Sequence, residues 1–150
     1  MKKNLIILFY LSFVILTNGF SQPQKIKVAT YTNMDLYFYG KAMIMKDPYN
    51  LNNISKKGND LYLMGSTIIE KDESVLSEIK SQDFFYLAVS INKKDSIPLS
   101  KILDKDLQLF GWAMYMQDEK FLEKITNIDL SNLAKAILRE DLNFLEALNY

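Results

Sequence analysis

The chain of 150 residues contains no cysteine and no histidine. Without cysteine there is no disulfide, no thiolate nucleophile and no site for a lipoprotein anchor. Without histidine there is no imidazole base, and the common zinc-ligand sets are gone. Glycine (5), proline (3) and tryptophan (1) are scarce. No Gly-x-Gly-x-x-Gly, Walker loop or Gly-x-Ser-x-Gly segment occurs. Lys+Arg and Asp+Glu are both 18, so there is no net charge to draw nucleic acid or an anionic membrane. No catalytic residue, metal ligand or cofactor site is expected. What is present is globular: 49% hydrophobic, 24% charged and 13% aromatic, in a length suited to one domain.

Residues 1–21 read as a secretory signal. Lys2 and Lys3 form a basic start, residues 5–17 carry no charge, and Gly19 and Ser21 place small residues at −3 and −1 of a cut after Ser21. The uncharged run is shorter than the roughly 20 residues a spanning helix needs. An uncleaved amino-terminal anchor is the alternative. Cleavage would start the mature chain at Gln22 and, by removing Lys2 and Lys3, leave it with a slight acidic excess. The expected address is export, to the periplasm or beyond, with no membrane span after cleavage.

A periodicity runs through the rest. Ten of the eleven aspartates fall into two registers. Asp35, Asp60, Asp83, Asp106 and Asp129 form the first. Asp47, Asp72, Asp95, Asp118 and Asp141 form the second, each at the same offset from its partner in the first. The steps within a register are 25, 23, 23 and 23. Leu51, Leu76, Leu99, Leu122 and Leu145 lie four residues after the second aspartates, and Ile54, Ile79, Ile102, Ile125 and Leu148 three further on. A small residue stands five after each first aspartate: Gly40, Gly65, Ala88, Gly111 and Ala134. The two extra residues of the first step fall within 55–59, a linker, where repeat arrays accept insertions.

Within a unit the apolar spacing is helical. Leu107, Phe110, Gly111 and Met114 follow Asp106 on one face, and Phe121, Leu122 and Ile125 follow Asp118. Each aspartate is expected to cap a helix, the two being about 11 and 8 residues long. Pro98 then falls in a first turn, where its missing N–H costs little. Helices this short need burial by neighbours, which stacked units provide. Residues 84–91 have strand propensity, but they share the register of helical segments and are expected to be helical. The expected fold is all-α: a solenoid of about five 23-residue helix pairs over residues 35–150, with units starting at 35, 60, 83, 106 and 129, stacked in a rod or arc. Residues 22–34 form an amino-terminal arm or capping helix. Asn132, Lys135, Arg139, Glu140, Asn143 and Glu146 make the last unit polar, as a terminal cap should be.

The unit resembles two known helical repeats. Leu133, Ala136, Leu145 and Leu148 match apolar positions of the ankyrin helix pair, although the Thr-Pro-Leu-His motif, the Gly-His pair and room for the hairpin are lacking. The period is similar to that of the leucine-rich repeat variant, in which one of two helices is 3₁₀. Residues 95–102 resemble its Pro-x-x-x-Leu-x-x-Leu end, although the other four units lack that proline. Both resemblances imply an α-solenoid that binds proteins.

The aspartates are spaced as caps. Calcium loops need oxygen ligands close together within one loop, and none is so arranged. A second apolar stripe lies two, six and nine residues after the first aspartates. Tyr37, Tyr62, Phe85, Trp112 and Tyr115 are its candidate partner-binding residues, because aromatic side chains dominate binding hot spots. Otherwise the stripe is core of a helix packed on both sides. The function read from the sequence is a non-enzymatic, exported protein-binding module. An inhibitor or immunity-type protein blocking one envelope or secreted enzyme is the alternative, and a small hydrolase or carbohydrate binder ranks below both.

Overall fold

The computed structural model describes residues 31–148. The expected signal at 1–21 and most of the arm at 22–34 lie outside the described residues. The described chain is all-α, with no strand among the described residues. Five long α-helices alternate with short ones. The long ones are α1 (Asn33–Met45), α2 (Asn59–Glu70), α3 (Gln82–Lys93), α4 (Lys105–Met116) and α5 (Ile128–Arg139). Between them lie 3₁₀ helices η1 (Pro48–Asn53), η2 (Lys56–Gly58), η3 (Ser74–Glu78), η4 (Pro98–Lys101) and η5 (Glu119–Lys124), and a short α6 (Asn143–Glu146) closes the series. Residues 84–91 are helical, inside α3, as the register requires.

The second elements differ from expectation. They are 3₁₀ or single-turn helices of three to six residues, not α-helices of about eight. A sharp turn causes this. Each long helix ends in a left-handed residue that is not glycine: Lys46, Lys71, Lys94, Gln117 and Glu140, with φ between 51° and 61°. At four of these ends the following aspartate N–H donates back to the helix, from Asp47 to Ala42 O, Asp95 to Ser90 O, Asp118 to Ala113 O and Asp141 to Ala136 O. This is the Schellman closure, which satisfies carbonyls the helix cannot. The second aspartates then accept from the amide two residues on (Tyr49, Ser74, Ile97, Lys120 and Asn143) at 2.9–3.0 Å. They begin the short elements, as expected of them. Pro98 and Pro48 stand at the first position of their helices.

The first aspartates are not the caps of the long helices, and here the sequence reading is corrected. Thr32, Ser81, Asp104 and Asn127 are the side-chain caps. The first aspartates lie within the first turn, two or three residues after the cap, and reach across the unit. Asp35 accepts from Ser55 N at 2.7 Å, and Asp60 from Lys80 N and Ser81 N at 3.0 and 2.8 Å. Asp83 accepts from Leu103 N and Asp104 N at 2.9 and 3.0 Å, and Asp106 from Thr126 N and Asn127 N at 2.9 and 2.8 Å. One carboxylate thus satisfies the amides of the following linker, where the chain leaves one short helix for the next long one. Burial pushes the Asp35 carboxyl up, but hydrogen bonds from Thr32 and Ser55 outweigh it and hold the group below its ordinary value. Asp106 is lowered in the same way, burial being outweighed by the Thr126 amide and hydroxyl and the Asn127 amide.

Each long helix packs against the next, α1 to α5 in order, and α1 also packs against α5. The contacts therefore close on themselves instead of ending as a rod or arc would. The short elements lie over the seams: η1 touches α1 and α2, η3 touches α2 and α3, η4 touches α3 and α4, η5 touches α4 and α5, and α6 touches α5 and α1. The small residues sit where this requires them. A Cβ on Gly65 would lie 2.7 Å from Leu51 Cδ2, and on Gly111 2.7 Å from Leu99 Cδ2 and 2.8 Å from Leu87 Cδ1. On Gly40 it would lie 2.6 Å from Leu145 Cδ2 and 2.7 Å from Leu133 Cδ1. The first helix meets the last short helix as later helices meet their predecessors. The polar residues of the last unit do not cap an open end, because Leu133, Ala134 and Leu145 are fully buried on the other side of it.

Gly40→Ala should lower stability by about 1 kcal/mol or less, since the leucine methyls can shift and alanine stands at 88 and 134. Gly40→Val should cost about 1–3 kcal/mol by forcing the closing seam apart. Urea denaturation of the three proteins checks the order.

Candidate functional site

The core within the cycle of long helices is filled. Tyr39, Met64, Leu87, Phe110 and Leu133, each four residues after a first aspartate, are at most 1% exposed. The Tyr39 hydroxyl is buried without a hydrogen-bond partner, and burial raises its pKa. A second column, Ala42, Thr67, Ser90, Ala113 and Ala136, is wholly buried and small. Sequence reading missed it because Thr and Ser interrupt its apolar character. Thr67 Oγ1 removes that obstacle by donating to Leu63 O at 2.9 Å.

Tyr37, Tyr62, Phe85, Trp112 and Tyr115 are all half-buried and packed against the core. They come one from each of α1, α2 and α3 and two from α4. Tyr37 meets Phe38 edge-on at 5.4 Å. Phe85 meets Tyr86 at 5.8 Å, and Tyr86 lies under Lys101 Nζ, 5.6 Å from its ring centre. Trp112 stacks on Phe121 of η5 at 6.3 Å with 18° between planes, and its other neighbour, Tyr115, is edge-on at 6.0 Å. The Tyr115 hydroxyl donates to Lys94 O at 3.4 Å.

Tyr62 is placed differently. It lines two adjacent clefts of about 210 Å³ each on the outside of the first seam. Leu51 and Asn52 are common to both; Ser55, Lys56 and Asn59 line one, and Tyr49 and Glu70 the other. Tyr49 is 79% exposed. A third cleft, between η5 and α5, is lined by charged groups including Glu119, Lys135 and Arg139. Arg139 is engaged there by Glu119, through Nε at 2.9 Å and Nη2 at 2.6 Å. Its guanidinium also lies over Phe144, 5.1 Å from the ring centre.

The exposed apolar residues were legible as exceptions to the register. Tyr49 and Ile97 occupy the position held by Ser74, Lys120 and Asn143 in the other units. Ile128 occupies the position of Asn59, Gln82 and Lys105, and Leu103 that of Lys80 and Thr126. A large apolar side chain where other units carry polar ones is not core, and all four are exposed. Among the described residues no group of three His, Cys, Asp or Glu could hold a metal ion, and no helix is long and apolar enough to cross a membrane. No protein-family model matches the chain, and neither a curated protein nor a solved structure matches it.

The stack on Phe121 fixes the expected outcome for the tryptophan. Trp112→Ala should destabilise the fold by about 2–4 kcal/mol, and Trp112→Phe by less than half as much. Chemical denaturation followed by circular dichroism reads both.

Proposed function

We propose that this chain is an exported, non-enzymatic protein-binding module, built as five pairs of one long and one short helix, the short one 3₁₀ in the first four and a single α turn in the last, whose array closes on itself. Four facts support the repeat reading. Left-handed helix ends, aspartate turns, cross-unit carboxylate bonds and glycine–leucine seams all recur at the spacing of the sequence period. The export reading rests on residues 1–21 of the sequence.

A closed array binds through its outside. The observation that carries the binding reading is Tyr49, an aromatic side chain 79% exposed beside the two clefts that flank Tyr62. Leaving such a ring in water forgoes on the order of 2 kcal/mol of burial. A protein partner that covers Tyr49 and inserts an apolar side chain against Tyr62 and Leu51 recovers it. The Asn52 and Asn59 amides and the Glu70 carboxylate supply the polar edge that such an interface uses for orientation.

The test compares wild type with Tyr49→Ala, each immobilised and exposed to envelope extract. The substitution should leave the melting curve unchanged and reduce capture of the specific partner about tenfold. Equal capture by both proteins would remove this surface from consideration.

A further inference from the structure

Two seams between units carry an ion pair in the same register, and the first seam departs from it. Between η3 and α3 the Lys93 ammonium meets the Glu73 carboxylate at 3.1 Å. Between η5 and α5 the Arg139 guanidinium meets Glu119 at 2.9 and 2.6 Å and lies over Phe144, 5.1 Å from the ring centre. Each acid stands one residue after a second aspartate, and each base ten after a first aspartate. At the first seam these two positions hold Pro48 and Glu70. The acid is now on the long helix, and the position opposite it carries no charge.

Glu70 is electrostatically disfavoured where it stands. It is the last residue of α2, whose last turn contains no basic residue. A helix carries partial negative charge at this end, which repels a carboxylate. Among the described residues, α2 is also the long helix that lacks the closing bond made at the other four by the following aspartate amide. The Glu70 side chain is exposed, and Ser66 Oγ donates to its Oε2. No cation among the described residues forms an ion pair with it.

The surroundings of this carboxylate suit a cation from outside. Glu70 lines a cleft of about 210 Å³ together with Tyr49, Tyr62 and Asn52. Pockets for small molecules start at roughly 300 Å³, so this one has the size for a single side chain. The faces of tyrosine rings attract cations, and a carboxylate accepts a guanidinium through two parallel bonds. Ser66 uses only one of the about four acceptor sites that a carboxylate offers. Lys56 lines the neighbouring cleft and not this one.

We propose, resting on the binding surface described above, that this cleft receives an arginine side chain of the protein partner. Its guanidinium sits on the Glu70 carboxylate and against the Tyr49 and Tyr62 rings. The neighbouring cleft, lined by Leu51 and Ile54, is left for the partner's apolar side chain. The chain holds its own Arg139 in the same manner, by the Glu119 carboxylate and the Phe144 ring. Arginine is selected over lysine because its planar group stacks on a ring and forks onto a carboxylate, which an ammonium cannot do.

NMR titration of the isotope-labelled full chain with acetyl-Gly-Arg-Gly-amide tests this. Shifts at Tyr49, Tyr62 and Glu70 should saturate with a Kd on the order of a few millimolar. The citrulline peptide, which has the same shape without the charge, and the lysine peptide should each bind at least about threefold more weakly. Glu70→Gln should weaken the arginine peptide about fivefold and remove its preference over citrulline. The same substitution should leave the urea midpoint no lower than that of the wild type, because the amide oxygen still accepts from Ser66 and the repelled charge is gone. Equal binding of the arginine and citrulline peptides, or arginine binding indifferent to Glu70→Gln, would overturn the proposal and leave the surface itself to the Tyr49→Ala capture experiment. Lysine binding as tight as arginine, or no saturable shift at these residues, would also overturn it. So would a lowered urea midpoint in Glu70→Gln, which would make the carboxylate part of the fold.

Discussion

The contact between a residue with almost no side chain and a leucine of the preceding short helix governs this structure. At Gly65 and Gly111 it lets one long helix come close to the unit before it. At Gly40 the same contact joins the first helix to Leu133 and Leu145 of the last unit. Closure follows from using one seam at both ends of the chain. An open array must dress its terminal faces with polar residues; here Leu36, Leu133 and Leu145 are all fully buried where the first long helix meets the last unit.

The seams need the short helices in place, and polar groups put them there. The left-handed residue reverses the chain in a single step, the second aspartate starts the 3₁₀ turn, and the first aspartate holds its far end. Left-handed geometry costs a non-glycine residue on the order of 1 kcal/mol. The Schellman bond and the charge-assisted bonds to linker amides, roughly 1.5–3 kcal/mol apiece, offset that cost. So short a turn stays ordered because both its ends are tied.

Much of this was legible in the residues and some of it was not. The period, the buried leucine and isoleucine columns, the small column and the helicity of residues 84–91 could be read directly. The role of the first aspartates could not. A carboxylate at the start of a helix looks the same in sequence whether it binds the helix's own amides or those of the following linker. The 3₁₀ form of the short elements was hidden because Phe121, Leu122 and Ile125 satisfy an α-helical spacing equally well. Closure was hidden because it depends on curvature per unit, which no single unit encodes. The aromatic stripe was legible as apolar, yet its members divide by surroundings: Trp112 is held by Phe121, while Tyr62 borders two outer clefts. The exposed set of Tyr49, Ile97, Leu103 and Ile128 was visible only as apolar residues at positions that are polar elsewhere in the aspartate register of the sequence.

The proposed closed array of equivalent units has one direct test. Leu148 stands to Asp129 as Ile125 stands to Asp106, and two further residues would reach the register of Asn127, the cap of a long helix. A circular permutant joining residue 148 to residue 32 through one residue, with new termini in the linker between η1 and α2, reconnects the chain at the α5–α1 seam. Its unfolding in urea should be cooperative, with helical circular dichroism equal to that of the parent and stability within about 2 kcal/mol of it. A permutant that is unfolded or only partly helical would show that the α5–α1 contact is not equivalent to the others, and the closed-array account would be wrong.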